Sequence, residues 1–460
     1  MSYLRLSAIF SDGMMLERDT AFNMIWGYTR PDAEVRAELS GCGFKMTGET
    51  AGDIAGFFQI QLPQRPAGGP YELTIVSGEE KKVIKDILFG EIFLLGGQSN
   101  MELSIGTVSK DRAELPDIDK NYIRAFTFEQ KPVYSDPSDM ISEGRWIKAE
   151  GKSLNDFSAV GLYAAVSLYE KLEVPVGLYQ TAIGGSPISS WLSENSVMRL
   201  SLDADRLMAV NESGEGDLCS PTAGFYGSLY PLQRQQIKAV LFYQGESNVE
   251  RHETYRSEFA AMTADWRRLF RNPELPFFYV QLAGYGEGVR NCVKTDWSVF
   301  RDVQLQCESI QNTYMVQAYD LGDQDDIHPA DKKPLGERLA DAVYSVLFGN
   351  GVYFKGPGLS NLRLDGKKAV LDFSTLGGLV NKNISEETVG FSLVFIKDGE
   401  EMIEEISGKL DTSGGKKRVV IDIPEGRLPE EIRYAWNNYP YSASLYDSYG
   451  LPAVPFRIPV

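Results

Sequence analysis

A serine that attacks an ester needs a base to take its proton, a group that orients the base, and hydrogen-bond donors aimed at the oxygen that becomes negative. Only two histidines occur in this sequence, His252 and His328, so an imidazole base must be one of them. The candidate nucleophile is Ser99. It follows the apolar run 91–95 and the pair Gly96-Gly97, where the chain can turn sharply, and it stands where a helix would begin, beside backbone N–H groups with no helical acceptor. The same residues also read as a plain strand-to-helix turn with Ser99 as its N-cap.

His252 lies in the polar segment Glu250-Arg251-His252-Glu253, at the start of a helical pattern, where a solvated face explains it. His328 ends the acidic stretch 320–328, directly after the apolar run 314–319. Asp325, three residues earlier, is close enough on a turn to hold the imidazole tautomer and stabilise the imidazolium. The alternative is an acidic loop whose aspartates cap the next helix. Two further turns supply candidate oxyanion donors. Residues 183–191 offer the Gly185 backbone N–H, and residues 244–249 offer the Asn248 side-chain amide. Gln98, Gln244 and Glu246 are candidate substrate contacts or an alternative acid, with Glu246 the rival to Asp325. Trp191, Tyr243 and Tyr285 could stack on a sugar ring or pack in the core.

Each of these turns follows an apolar run that reads as a strand: 91–95, 176–182, 239–243, 277–282 and 314–319. Between them, helical periodicity covers 159–172, 252–270, 297–309 and 334–348. The alternation predicts an α/β architecture over residues 87–349, a mostly parallel sheet covered by helices on both faces, with the site at the carboxyl ends of the strands. Residues 1–86 hold short period-2 runs at 21–26, 34–39, 56–62, 71–77 and 82–86, which predict a small antiparallel sandwich. Residues 350–460 return to β-like runs at 368–373, 390–396, 418–423 and 433–436. Flanking all-β regions are therefore expected at both ends.

The ordered set Gly97-Gln98-Ser99-Asn100-Met101, Gly184–Trp191, Tyr243–Asn248 and Asp325–His328 resembles the SGNH hydrolases, and within them the sialate O-acetylesterase-like carbohydrate esterases. Residues 6–18 resemble that family's opening, and residues 433–436 and 450–457 its closing segment. The resemblance implies Ser99 as nucleophile, Gly185 and Asn248 as oxyanion donors, His328 as base and Asp325 as its partner. Gln98 stands where many SGNH proteins have Asp, and Asn248 falls one residue late. The implied activity is removal of O-acetyl groups from a sugar, either an O-acetylated sialic acid or an acetylated xylose or mannose unit. A non-catalytic carbohydrate-binding protein and a lipase or thioesterase of the same scaffold are the competing readings.

The chain has 460 residues, 46 basic and 64 acidic, for a net charge of -18, with 43% apolar and 24% charged residues. This balance, with no basic run, argues against nucleic acid or an anionic membrane as partner and favours a soluble protein meeting a neutral or small substrate, which the resemblance implies is a small-molecule or oligosaccharide acetyl ester. Oligomeric state is not encoded in any feature we recognise. Cys42, Cys219, Cys292 and Cys307 show no metal-ligand or disulfide spacing, so free thiols, no metal and no cofactor are expected. No run reaches the roughly 18 apolar residues of a membrane span. The first twenty residues lack a basic segment followed by an apolar one, so the expected location is cytoplasmic, or secreted if a leader has been removed.

Overall fold

The computed structural model describes residues 3–108, 120–133, 137–286, 296–349 and 353–460. Cys292 and the first residues of the C-terminal region lie outside them. The chain forms two compact units: Met1–Ser247 with Ser257–Phe278 and Ile310–Thr313, and Asn248–Arg256 with Tyr279–Ser309 and Tyr314–Val460.

In the first unit, Arg5–Leu6, Met24–Tyr28 and Phe57–Gln61 form a three-stranded sheet. Phe44–Ala51, Glu34–Gly41, Gly68–Ser77 and the start of Glu80–Gly97 form a second antiparallel set. Alternation puts Val35, Ala37, Leu39, Leu73 and Ile75 inside, with Ile25, Trp26, Phe58 and Ile60 buried on the other sheet. The pairing is antiparallel, as the period-2 runs predict, and the second set continues through Glu80–Gly97 into the larger mixed sheet. The strand Phe44–Ala51 was not among those runs.

The strand Glu80–Gly97 is 18 residues long. Its first half pairs with Gly68–Ser77, and its second half pairs in parallel with Val176–Gln180 on one side and Ala239–Tyr243 on the other. The boundary drawn at 86/87 therefore falls inside a single strand. Beyond Val176–Gln180 come Ile123–Phe128, parallel, and Gly144–Lys148, antiparallel. These two strands are absent from the sequence expectation.

Successive residues of the long strand face opposite ways. The Leu95 side chain meets Gly161 of the helix Ala159–Leu172, while a Cβ at Gly96 would meet the Trp266 ring of His252–Leu269 at 2.7 Å. Helices thus lie against both faces at the point where the strand ends.

In the second unit, Glu387–Lys397, Glu400–Asp411, Arg418–Asp422, Lys368–Ser374 and Gly358–Asp365 build an antiparallel sheet that continues through Glu431–Tyr434 to Phe456–Pro459. It encloses Leu371, Phe391, Leu393, Ile421, Ile432 and Tyr434. The loop after the strand Thr313–Val316 is tied to this region. Tyr319 donates to Ala453 O at 2.8 Å, and Asp320 takes a bidentate pair from Arg338 (2.7 and 2.8 Å) and a bond from Tyr446 (3.1 Å).

Candidate active site

The first unit carries Ser99 and the glycine turn. Gly97 has φ +121°, and a Cβ there would lie 2.0 Å from Tyr243 O, so only glycine lets the long strand end this close to its neighbour. The next residue, Gln98, is buried, and its N–H donates to Tyr243 O at 2.8 Å. Its Oε1 accepts from Gln244 Nε2 (3.2 Å), Gly245 N–H (3.4 Å) and Ser247 N–H (3.3 Å). Gln98 and Gln244 therefore clip two strand ends together from inside. Both are buried, and their hydrogen bonds give them a structural role between the strand ends.

Ser99 opens the short helix Ser99–Glu102 and is half-buried. The cap position belongs to Gln98, which makes no side-chain cap bond, so the reading of Ser99 as an N-cap fails. Asn100 Nδ2 donates to Glu246 Oε1 at 2.6 Å, which fixes the helix to the turn after Ala239–Tyr243. Trp191 and Tyr243 are core residues. The Trp191 ring stands 5.8 Å from that of Trp266, and its Nε1 donates to Ser186 Oγ at 3.0 Å. Tyr285, in the second unit, is half-buried with its ring 5.5 Å from that of Trp297.

Ile183 to Ser186 form a turn closed by Ser186 N–H to Ile183 O at 3.2 Å, with Gly185 exposed at φ +72° in the third position. A Cβ at Gly184 would sit 2.7 Å from Glu102 Oε2 and 3.8 Å from Ser99 Cβ, so the turn lies directly against the serine. Its polar groups can be accounted for individually. The Gly184 N–H faces the Glu102 carboxyl, the Gly184 carbonyl accepts from Cys219 Sγ at 3.4 Å, and the Gly185 carbonyl accepts from Ser247 Oγ at 2.9 Å. Among the described residues, nothing accepts from the Gly185 N–H. Glu102 is exposed as a residue, yet desolvation of its carboxyl end raises it above the ordinary carboxylate range, with the Gly184 N–H opposing.

The second unit carries the other candidates. Asn248 is fully buried in the 3-10 turn Glu246–Arg251. His252 Nδ1 lies 3.3 Å from Val249 O, and its Nε2 lies 3.6 Å from Glu253. It sits at a helix start, as its polar surroundings imply. In the loop of His328, Asp323 Oδ1 accepts from Asp325 N–H (2.9 Å) and Asp326 N–H (3.3 Å), and Asp326 Oδ1 accepts from His328 N–H (2.8 Å). The aspartates thus shape their own loop; Lys332, which has no side-chain cap bond, begins the next helix. Asp326 Oδ1 lies 4.0 Å from His328 Nδ1, and Asp325 and Asp326 are both exposed. The local-spacing argument named Asp325, and Asp326 is a second carboxylate of the same loop beside the ring.

Glu102, Asn100, Ser247 and Cys219 were missed from sequence. Glu102 was findable, three residues after Ser99 on the same helical turn. Cys219 follows Gly185 by more than thirty residues, in a segment without periodicity. Among the described residues no group of three or more His, Cys, Asp or Glu side chains could hold a metal ion. Cys42, Cys219 and Cys307 are free thiols.

The same fold recurs in a carbohydrate acetylesterase from Xanthomonas citri, with TM-score 0.86, 28% identity and 99% of each chain covered. Curated relatives include sialate O-acetylesterases of Rattus norvegicus, 24% identical over 98% of this chain and 94% of that protein, and of Homo sapiens, 25% identical over 98% and 92%. The family model described as carbohydrate esterase, sialic acid-specific acetylesterase, matches residues 89–345, and the chain belongs to that family. It is a carbohydrate O-acetylesterase, an ester hydrolase, and the reading as a non-catalytic binder is set aside.

Proposed function

We propose that the chain uses an SGNH-type α/β core to remove acetyl groups from a sugar through an acetyl-Ser99 intermediate. His328 takes the Ser99 proton as Oγ attacks the acetyl carbonyl, and the Gly185 N–H and the Asn248 amide stabilise the oxyanion. The intermediate collapses with loss of the sugar oxygen, which takes the proton from His328. Water, deprotonated by the same imidazole, then releases acetate. Asp325 is the proposed partner of His328, on the strength of the family pattern, with Asp326 and Glu246 as rivals.

The observation that carries this reading is the Gly185 N–H. Every other polar backbone group of the Gly184–Gly185 pair is engaged, and this donor is left for a ligand beside a half-buried serine at a strand end. The proposed sugar is an O-acetylated sialic acid, the substrate in the names of the curated relatives. Acetylated xylose or mannose is the second reading, since the Xanthomonas citri enzyme is described only as a carbohydrate acetylesterase.

Acetate release should be measured across acetylated sialic acids, xylo-oligosaccharides and manno-oligosaccharides, for the wild type and Ser99→Ala. Loss of turnover on every substrate in a folded Ser99→Ala protein is expected. Retained turnover would remove Ser99 from the mechanism, and a preference for neutral oligosaccharides would replace sialic acid as the substrate.

A further inference from the structure

A peptide N–H stabilises an oxyanion only if its plane is held at the right angle, because the trans peptide fixes the N–H opposite the carbonyl of the preceding residue. For the Gly185 N–H that carbonyl belongs to Gly184, and its hydrogen-bond donor is Cys219 Sγ, at 3.4 Å. The same sulfur would lie 3.7 Å from a Cβ on Gly185, so the thiol packs against both glycines of the turn. On the Gly184 side stand Ser99 Cβ and the Glu102 carboxyl. Both glycines lack side chains, so no Cβ within the turn restrains rotation of this peptide plane.

We propose that Cys219 is a positioning residue for catalysis: its thiol, by donating to the Gly184 carbonyl, sets the direction of the Gly185 N–H toward the oxyanion. This rests on the reading of Gly185 as an oxyanion donor.

The segment that presents the thiol is built with care. Asp217 Oδ1 accepts from the Cys219 N–H at 3.0 Å and from Ser220 Oγ at 3.1 Å. Three residues on, Thr222 is fully buried with φ +69°, a conformation unfavourable for a β-branched residue, and its N–H donates to Ser189 O at 3.0 Å. The segment is thus fastened at both ends, to its own Asp217 and to the chain that continues from the glycine turn. The donor itself keeps its proton: burial first, and Asp217 next, push the thiol up, with Arg206 opposing. A thiol that stays protonated remains an S–H donor at neutral pH.

The test compares Cys219→Val, which keeps the bulk and loses the donor, with Cys219→Ala and Cys219→Ser on p-nitrophenyl acetate. A neutral hydrogen bond of this kind corresponds to a fall in kcat of about three- to tenfold. That fall is expected in Cys219→Val and Cys219→Ala, with KM and the urea midpoint unchanged, and Cys219→Ser is expected to recover most of it. Unchanged kcat in the folded valine and alanine variants overturns the proposal. So does a loss carried by KM or by the midpoint that serine does not restore. Ser99→Ala, run alongside, separates the two levels: if it is inactive while Cys219→Val is fully active, the role of Cys219 alone is wrong, and if it stays active the acyl-serine reading falls too.

Discussion

Replacing Gly97 with alanine asks whether close approach of two strand ends, rather than chain flexibility, is what this position requires. The added Cβ would stand 2.0 Å from Tyr243 O, far inside contact distance, and the obstacle is backbone that pairs with the long strand at this register. Alanine at positive φ costs about 1–2 kcal/mol. Forcing the strands apart adds about 1–3 kcal/mol of overpacking. Losing the Gln98 N–H bond to Tyr243 O adds about 1 kcal/mol. Gly43→Ala is the control, since Gly43 also has positive φ, +72°, but a Cβ there meets nothing within 4 Å. Both variants stiffen the unfolded chain alike, so the difference between them, about 3 kcal/mol, reports the overpacking together with the lost hydrogen bond. Urea unfolding followed by tryptophan fluorescence reports it, because Trp266 packs on the adjacent Gly96. Acetate release should fall with it, since Ser99 is two residues on. Equal midpoints for Gly97→Ala and Gly43→Ala would refute the steric reasoning.

The carboxylate serving His328 is decided by kcat in three variants. Asp325→Asn is expected to lower it by orders of magnitude at constant KM, with smaller effects from Asp326→Asn and from Glu246→Gln, whose carboxylate already takes the Asn100 amide; a dominant Asp326→Asn effect would transfer the role to the residue 4.0 Å from the ring. Glu17 is buried beside Glu91, and burial first, then Glu91, raise its carboxyl well above the ordinary range despite Lys238. A raised folded pKa means stability present at low pH and lost as pH rises through that value, so Glu17→Gln should gain stability over wild type from pH 5 to 8. A gain that shrinks with rising pH would contradict this.

What the sequence disclosed and what it concealed follow from how each element announces itself. The strands at 91–95, 176–182 and 239–243 are buried on both faces, so they read as continuous apolar runs, and the glycines that must follow them are visible as letters. The strand Phe44–Ala51 was missed because it alternates half-buried with exposed residues, including Lys45 and Glu49. Glu400–Asp411 was hidden in the same way by four glutamates. Both are announced instead by their two-residue turns, Cys42-Gly43 and Asp398-Gly399, where both residues have positive φ as a type I′ hairpin requires. Ile123–Phe128 is disguised by Arg124, which is buried because Gly13 O, Asp86 and Asn121 O take its guanidinium. At the site, the turn residues were legible, but the side chains that orient them come from distant, aperiodic segments, and neither spacing nor composition marks Cys219 or Ser247.

A strand of 18 residues running through two sheets acts as a shared axle. Its hydrogen bonds to Gly68–Ser77 and to Val176–Gln180 and Ala239–Tyr243 belong to one stretch of extended backbone, so fraying at the sandwich end loosens the rod that carries Gly97 at the other. A protease finds no hinge along it, and excising residues 1–86 would sever the rod in the middle. The N-terminal β region is therefore an anchor for the strand that leads to Ser99, and its loss should be felt as a loss of acetate release.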